Sequence, residues 1–101
     1  MLNWSYLLKM DQLMNTLTQY GLMAEKHWRE FRPTMVQTLE AQGKLQEMLV
    51  EAQEKTKDEM LELRMQLMRQ GLTPQQAHDR AWEMVRERYI LLPPESDEET
   101  A

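Results

Sequence analysis

At 101 residues the chain is sized for one domain. With 42% hydrophobic and 29% charged residues, three glycines and four prolines, it is built from helix formers, and the absence of cysteine excludes disulfides, thiol nucleophiles and thiolate metal sites. The net charge of -5 is unevenly placed: Glu95, Asp97, Glu98 and Glu99 lie in the last nine residues, and without these four of the 17 acids 13 remain against 12 bases, which excludes the electrostatic footprint of a phosphate-backbone binder.

No run of Val, Ile or Thr alternates with period two, so the expected fold class is all-α. Three helices are predicted, at about 3–31, 33–70 and 74–89, in a single domain over 1–92 followed by an acidic disordered tail over 93–101. In the first helix Leu7, Met10, Met14, Leu17, Ala24, Trp28 and Phe31 follow the three-and-four spacing of a coiled-coil-like seam. Tyr6, Leu13 and Tyr20 form a second row beside it. From Met1 to Ala24 only Lys9 and Asp11 are charged, so this stretch reads as a helix covered on more than one side. Gly21 on the seam would let a facing helix come close. Trp4, near the terminus, is hard to bury within one chain. The predicted association surface is therefore Trp4, Tyr6, Leu7, Met10, Leu13, Met14, Leu17 and Tyr20, with a two-fold dimer as its simplest use.

Pro33 separates the first helix from the second, because proline restricts Arg32 and suits a first helical position. The second helix is predicted to run unbroken to Gln70 through Gly43. Its apolar residues fall in two groups, from Met35 to Val50 and from Met60 to Met68. Between them "EAQEKTKDE", residues 51–59, contains only Ala52 as an apolar residue and reads as a solvated helical span, supported by a Glu51–Lys55 pair.

In "QGLTPQQA" Gly71 sits where a helix needs a left-handed residue beyond its end, with Leu72 folding back. Thr73 is a good N-cap, Pro74 a good first residue, and Gln76 completes a capping box. A helix stop followed at once by a helix start predicts that the second and third helices form an antiparallel hairpin. Self-association would complete the bundle.

No reactive constellation emerges. His78 and Asp79 are adjacent and point about 100° apart on a helix, His27 has no second histidine near it, and no Glu-x-x-His pairing occurs. Ser5 and Ser96 lie near the termini, and no glycine-rich phosphate loop is present. The expectation is no catalytic residue, no cofactor and no metal site. No apolar run approaches the roughly 20 residues of a membrane span, and the interfacial-helix alternative needs more basic residues than Lys9. A basic leader before an apolar core is also missing, so the expected location is the cytoplasm. The function expected is that of a small non-enzymatic interaction protein: an assembly subunit, adaptor or regulator working through apolar helix faces. An acidic inhibitor or antitoxin-like protein, using the tail against a basic surface, is the alternative. An accessory subunit of a nucleic-acid-binding complex is third, with Arg80, Arg86 and Arg88 beside Arg64 and Arg69 but interrupted by Glu83 and Glu87.

Overall fold

The structure, a computed structural model, describes residues 17–95. These form four helices, α1 (Gln19–Phe31), α2 (Pro33–Ala41), α3 (Leu45–Arg69) and α4 (Pro74–Tyr89), and no strand occurs among the described residues. The all-α expectation holds, and the boundaries at Pro33 and Pro74 and the end at Tyr89 are as predicted.

Two expected continuities are corrected. The first helix was expected to pass through residues 17 and 18, but α1 starts at Gln19 with Thr18 extended at its N-cap. The Thr18 N–H and hydroxyl both donate to Gln53 Oε1, at 2.7 and 3.0 Å, so this turn of backbone is held by α3 rather than by a helix of its own. The expected helix over 33–70 is two helices, because Gly43 adopts φ +68. Its N–H reaches the Glu40 carbonyl at 3.0 Å and the Lys44 N–H reaches the Leu39 carbonyl at 2.8 Å. This double bond pattern is the Schellman stop, and Gly71 repeats it: φ is +106, with Gly71 N–H to Met68 O at 3.0 Å and Leu72 N–H to Leu67 O at 3.2 Å. The three-helix count therefore gives way to four among the described residues.

The α4 start is the capping box read from the sequence. Gln76 N–H donates to Thr73 Oγ1 at 3.2 Å, and Thr73 N–H donates to Gln76 Oε1 at 2.9 Å. Both orphan donors are thereby satisfied. From there α4 runs back along α3 as an antiparallel hairpin. Ala77, Ala81 and Val85, four residues apart and fully buried, give α4 a narrow face that closes on Met60, Leu63 and Leu67. A second cluster joins Ala24 and Trp28 of α1, Val36 of α2, Leu49 and Ala52 of α3, and Ile90. Tyr20, Trp82 and Tyr89 pack against both clusters, and Tyr20 stacks on Trp82 with centroids 5.5 Å apart. Full burial of Leu49 and Ile90 stabilises the fold by about 1.5–3 kcal/mol each.

After α4 the chain turns back over α1 and α2. Trp28 Nε1 donates to the Ile90 carbonyl at 3.0 Å, His27 Nε2 bonds the Leu92 carbonyl at 2.8 Å, and Arg32 donates to the Pro93 carbonyl at 3.1 Å. Residues 93–95 were expected in a disordered tail. Instead the Glu95 carboxylate accepts the Thr34 and Met35 N–H groups at 3.0 and 2.9 Å, capping α2, whose own N-cap Arg32 makes no side-chain cap bond. An acid at a helix N-terminus satisfies orphan donors and complements the dipole. Asp97, Glu98 and Glu99 lie outside the described residues.

Candidate interaction surface

The two halves of α3 have opposite surroundings. In the first half Leu49, Ala52, Gln53 and Thr56 are buried. Residues 51–59 are helical as expected, and Glu51, Glu54, Lys55, Lys57 and Asp58 are exposed, but the span is solvated on one side only, since Ala52, Gln53 and Thr56 are buried. Gly21 of α1 lies so close that a Cβ built on it would collide with Gln53 Oε1 and stand 2.7 Å from Leu17 Cδ2. Thr56 turns its hydroxyl onto the Ala52 carbonyl at 2.7 Å, so the polar side chains of this span are satisfied where they are buried. Lys55 and Glu51 make the expected exposed pair at 2.8 Å, which raises the Lys55 pKa through the hydrogen bond to Glu51 and its charge.

Glu59 closes this half. Its carboxylate accepts from both the Tyr89 hydroxyl and the Arg88 guanidinium. The Tyr89 bond, joined by Arg88 and Lys55, holds the Glu59 carboxyl below the usual carboxylate range against the opposing effect of burial. The same bond, with burial, pushes the Tyr89 phenol up. The two bonds anchor α4 to α3. Nothing in the sequence pattern marked Glu59 or Gln53.

The second half of α3 carries Leu61, Met65 and Met68, exposed to 55, 51 and 40%. They stand at steps of four and three, so they share one helix face. Met60, Leu63 and Leu67 point the other way, onto α4. A solvent-facing helix side normally carries charge, whereas here three large apolar side chains stand side by side in an exposed strip. Beside them lie Asp58, Glu62 and Arg69, all exposed. A separate apolar groove of about 170 Å³ opens between α2 and the first half of α3, with Trp28, Met35, Leu39, Met48 and Leu92 among its lining and Glu51, Lys55 and Arg88 at its edge.

Of the predicted association surface, Trp4, Tyr6, Leu7, Met10, Leu13 and Met14 lie outside the described residues. Leu17 and Tyr20 are half-buried and packed against the core of their own chain. The close approach allowed by Gly21 is to α3 of the same chain. The two histidines lie apart. His27 is held by Leu92 and packs on Phe31 at 4.6 Å, whereas His78 is exposed on α4. Among the described residues no cluster of three His, Asp or Glu side chains could hold a metal ion, and no helix is long and apolar enough to cross a membrane. Of the arginine strip, Arg88 is paired with Glu59.

No protein-family model, curated protein or solved structure matches this chain.

Proposed function

We propose that this chain is a non-enzymatic helical interaction protein, an assembly subunit, adaptor or regulator of the cytoplasm, working through apolar helix faces without a cofactor. The observation that carries this reading is the exposed row Leu61, Met65 and Met68 on α3. A row of apolar side chains at helical spacing is what a partner helix or groove receives, and methionine adapts its shape to the surface it meets. The apolar segment before Leu17, with Trp4, Tyr6, Leu7, Met10, Leu13 and Met14, belongs to the same proposal as a second contact element. The acidic-inhibitor alternative has less support, because Glu95 already uses its carboxylate on Thr34 and Met35.

The test uses the tagged full-length chain and a Leu61→Ser, Met65→Ser, Met68→Ser variant as baits in extracts of the cells that make the protein, with captured proteins identified by mass spectrometry. A protein retained by the unmodified chain and lost by the variant is the expected result. Identical captured sets would remove this face from the proposal.

A further inference from the structure

We infer that the Leu61–Met65–Met68 row is where two copies of this chain meet, with α3 of each copy packed antiparallel to the other about a two-fold axis near Met65. The inference rests on reading this row as a contact face and goes beyond it by naming the occupant.

The argument begins with what surrounds the row. Because α4 covers the opposite side of α3 through Met60, Leu63 and Leu67, the row points away from the hairpin, and a second α3 can approach without displacing any described element. In an antiparallel pair centred between residues 64 and 65, Leu61 stands level with Met68 of the partner subunit, and the two Met65 side chains meet at the middle. The row spans eight residues, a rise of roughly 10 Å of helix, so the apolar contact alone is small and needs support at its edges.

One edge supplies it. Asp58, Glu62 and Arg69 lie along the same side of the row, at helical steps of four and seven. A two-fold axis perpendicular to the pair brings each edge against itself in reverse order. Arg69 then falls level with residue 60 of the partner subunit, between Asp58 and Glu62 of the partner subunit. Symmetry makes the same contact twice. The acids stand on the N-terminal side of the centre and the base on the C-terminal side, so an antiparallel arrangement places opposite charges together. A parallel pair, related by an axis along the helices, would set this edge against the other edge of the partner subunit and leave Arg69 without these acids. All three residues are exposed, and none of them takes part in the ion pairs formed by α3 among the described residues, which are Glu51–Lys55, Glu54–Lys57 and Glu59–Arg88. The other edge carries Lys57, held by Glu54, and half-buried Arg64, which the same axis brings near its own copy, so the attraction between the two copies comes from the first edge alone.

The experiment is sedimentation equilibrium on the full-length chain over a range of concentrations, with two charge variants. Arg69→Glu makes the edge wholly acidic, and Asp58→Arg with Glu62→Arg makes it wholly basic. The unmodified protein is expected to dimerise, and each variant alone to self-associate at least about tenfold more weakly. An equimolar mixture of the two variants is expected to recover the dimer, because each edge then meets its opposite. Added salt should weaken the unmodified dimer. Circular dichroism of each variant shows whether its helices are retained, and recovery in the mixture shows that neither variant fails by unfolding. A monomer at several hundred micromolar would overturn the inference, whether the row is then covered by the segment preceding Leu17 or by a foreign protein. Variants that associate as tightly as the unmodified chain would overturn it too. The bait experiment above can succeed when this one fails, so the two readings fall separately.

Discussion

The two halves of α3 reverse what their compositions suggest. Residues 51–59 carry a single apolar side chain, yet they meet α1 at one side and the end of α4 at the other, burying Ala52, Gln53 and Thr56. Residues 61–68 hold Leu61, Leu63, Met65, Leu67 and Met68, yet three of these five face water. The difference teaches that burial on this helix is decided by which elements arrive and how closely. Gly21 lets α1 come so near that Gln53 sits directly against it and receives the Thr18 N–H, so a polar side chain is buried in a seam otherwise lined by Ala24, Trp28, Leu49 and Ala52. Among the described residues the second half packs chiefly on α4, whose small residues cover one strip of α3 and leave Leu61, Met65 and Met68 exposed.

The largest effect in this contrast is expected from truncating a residue of α1 that packs on the first half of α3. Trp28 packs with Leu49 and Ala52, and Trp28→Ala should cost about 3–5 kcal/mol in cavity and transfer terms, while leaving the Ile90 carbonyl without its donor. Against a typical total of about 5–15 kcal/mol this approaches loss of the fold. Urea unfolding followed by circular dichroism measures it. A cost under 1 kcal/mol, by the scale of surface substitutions, would mean that α1 is not seated on the first half of α3.

A second substitution tests the closeness of the seam itself. Gly21→Ala should improve intrinsic helix propensity by about 1 kcal/mol. The added methyl group has to displace Gln53 and Leu17, an overpacking strain of about 1–3 kcal/mol. The expected net effect is destabilisation in thermal melts. Stabilisation would show that Gln53 moves aside freely and that the polar seam does not set the helix spacing.

Much of this fold was legible in the sequence, but not the part that positions the contact face. Pro33, Pro74 and the Thr73–Gln76 box each act within four residues, so their reading survived. Gly43 and Gly71 make the same stop, and both follow a glutamine. Only Gly71 has a cap and a proline after it, whereas Lys44 begins α3 without a side-chain cap bond. The break at Gly43 thus lacked its second signal. Gln53, Glu59 and Glu95 gain their roles from partners 30 to 61 positions away, which no local pattern encodes. The row on α3 was readable as apolar residues at helical spacing, and its exposure was not, because that depends on the narrowness of α4.

The two glycine stops offer a smaller and cleaner comparison. Nothing stands within 4 Å of a Cβ built at either position, so Gly43→Ala and Gly71→Ala should each cost only the left-handed backbone penalty, about 1–2 kcal/mol. Gly71→Val should cost more than Gly71→Ala, since β-branching stiffens the side chain against the backbone. Equal melting temperatures for all the variants would remove the left-handed stops from the account.

The Glu59 anchor adds a pH signature to the buried half. Its carboxyl lies below the ordinary value in the folded chain, so the stability it contributes is present above the unfolded carboxylate value of about 4.3 and is lost as pH falls through the lower folded value. Tyr89 is raised, so its contribution is present below about pH 10 and is lost as pH climbs through the higher folded value. The stability difference between the unmodified chain and Glu59→Gln should therefore be flat from about pH 5 to 9 and shrink towards the acid end. Urea midpoints taken across the pH range decide it, and a difference that grows on acidification would contradict the assigned direction.

The smallest effect is expected on the open half, and its smallness is the point. Leu61→Ser, Met65→Ser and Met68→Ser each remove an apolar side chain that is between two-fifths and just over half exposed. Each should cost no more than about 1 kcal/mol, because about half of each side chain is already in water and no cavity forms. At low micromolar concentration, where a small interface is dissociated, all three variants should unfold at the same urea concentration as the unmodified chain within that margin. At high concentration the unmodified chain should gain stability that the variants do not, since binding to the folded state alone raises its apparent stability by mass action. A loss of 2 kcal/mol or more at low concentration, the scale of a buried large-to-small change, would mean that the row is covered within its own chain. The contrast between the halves of α3 would then disappear.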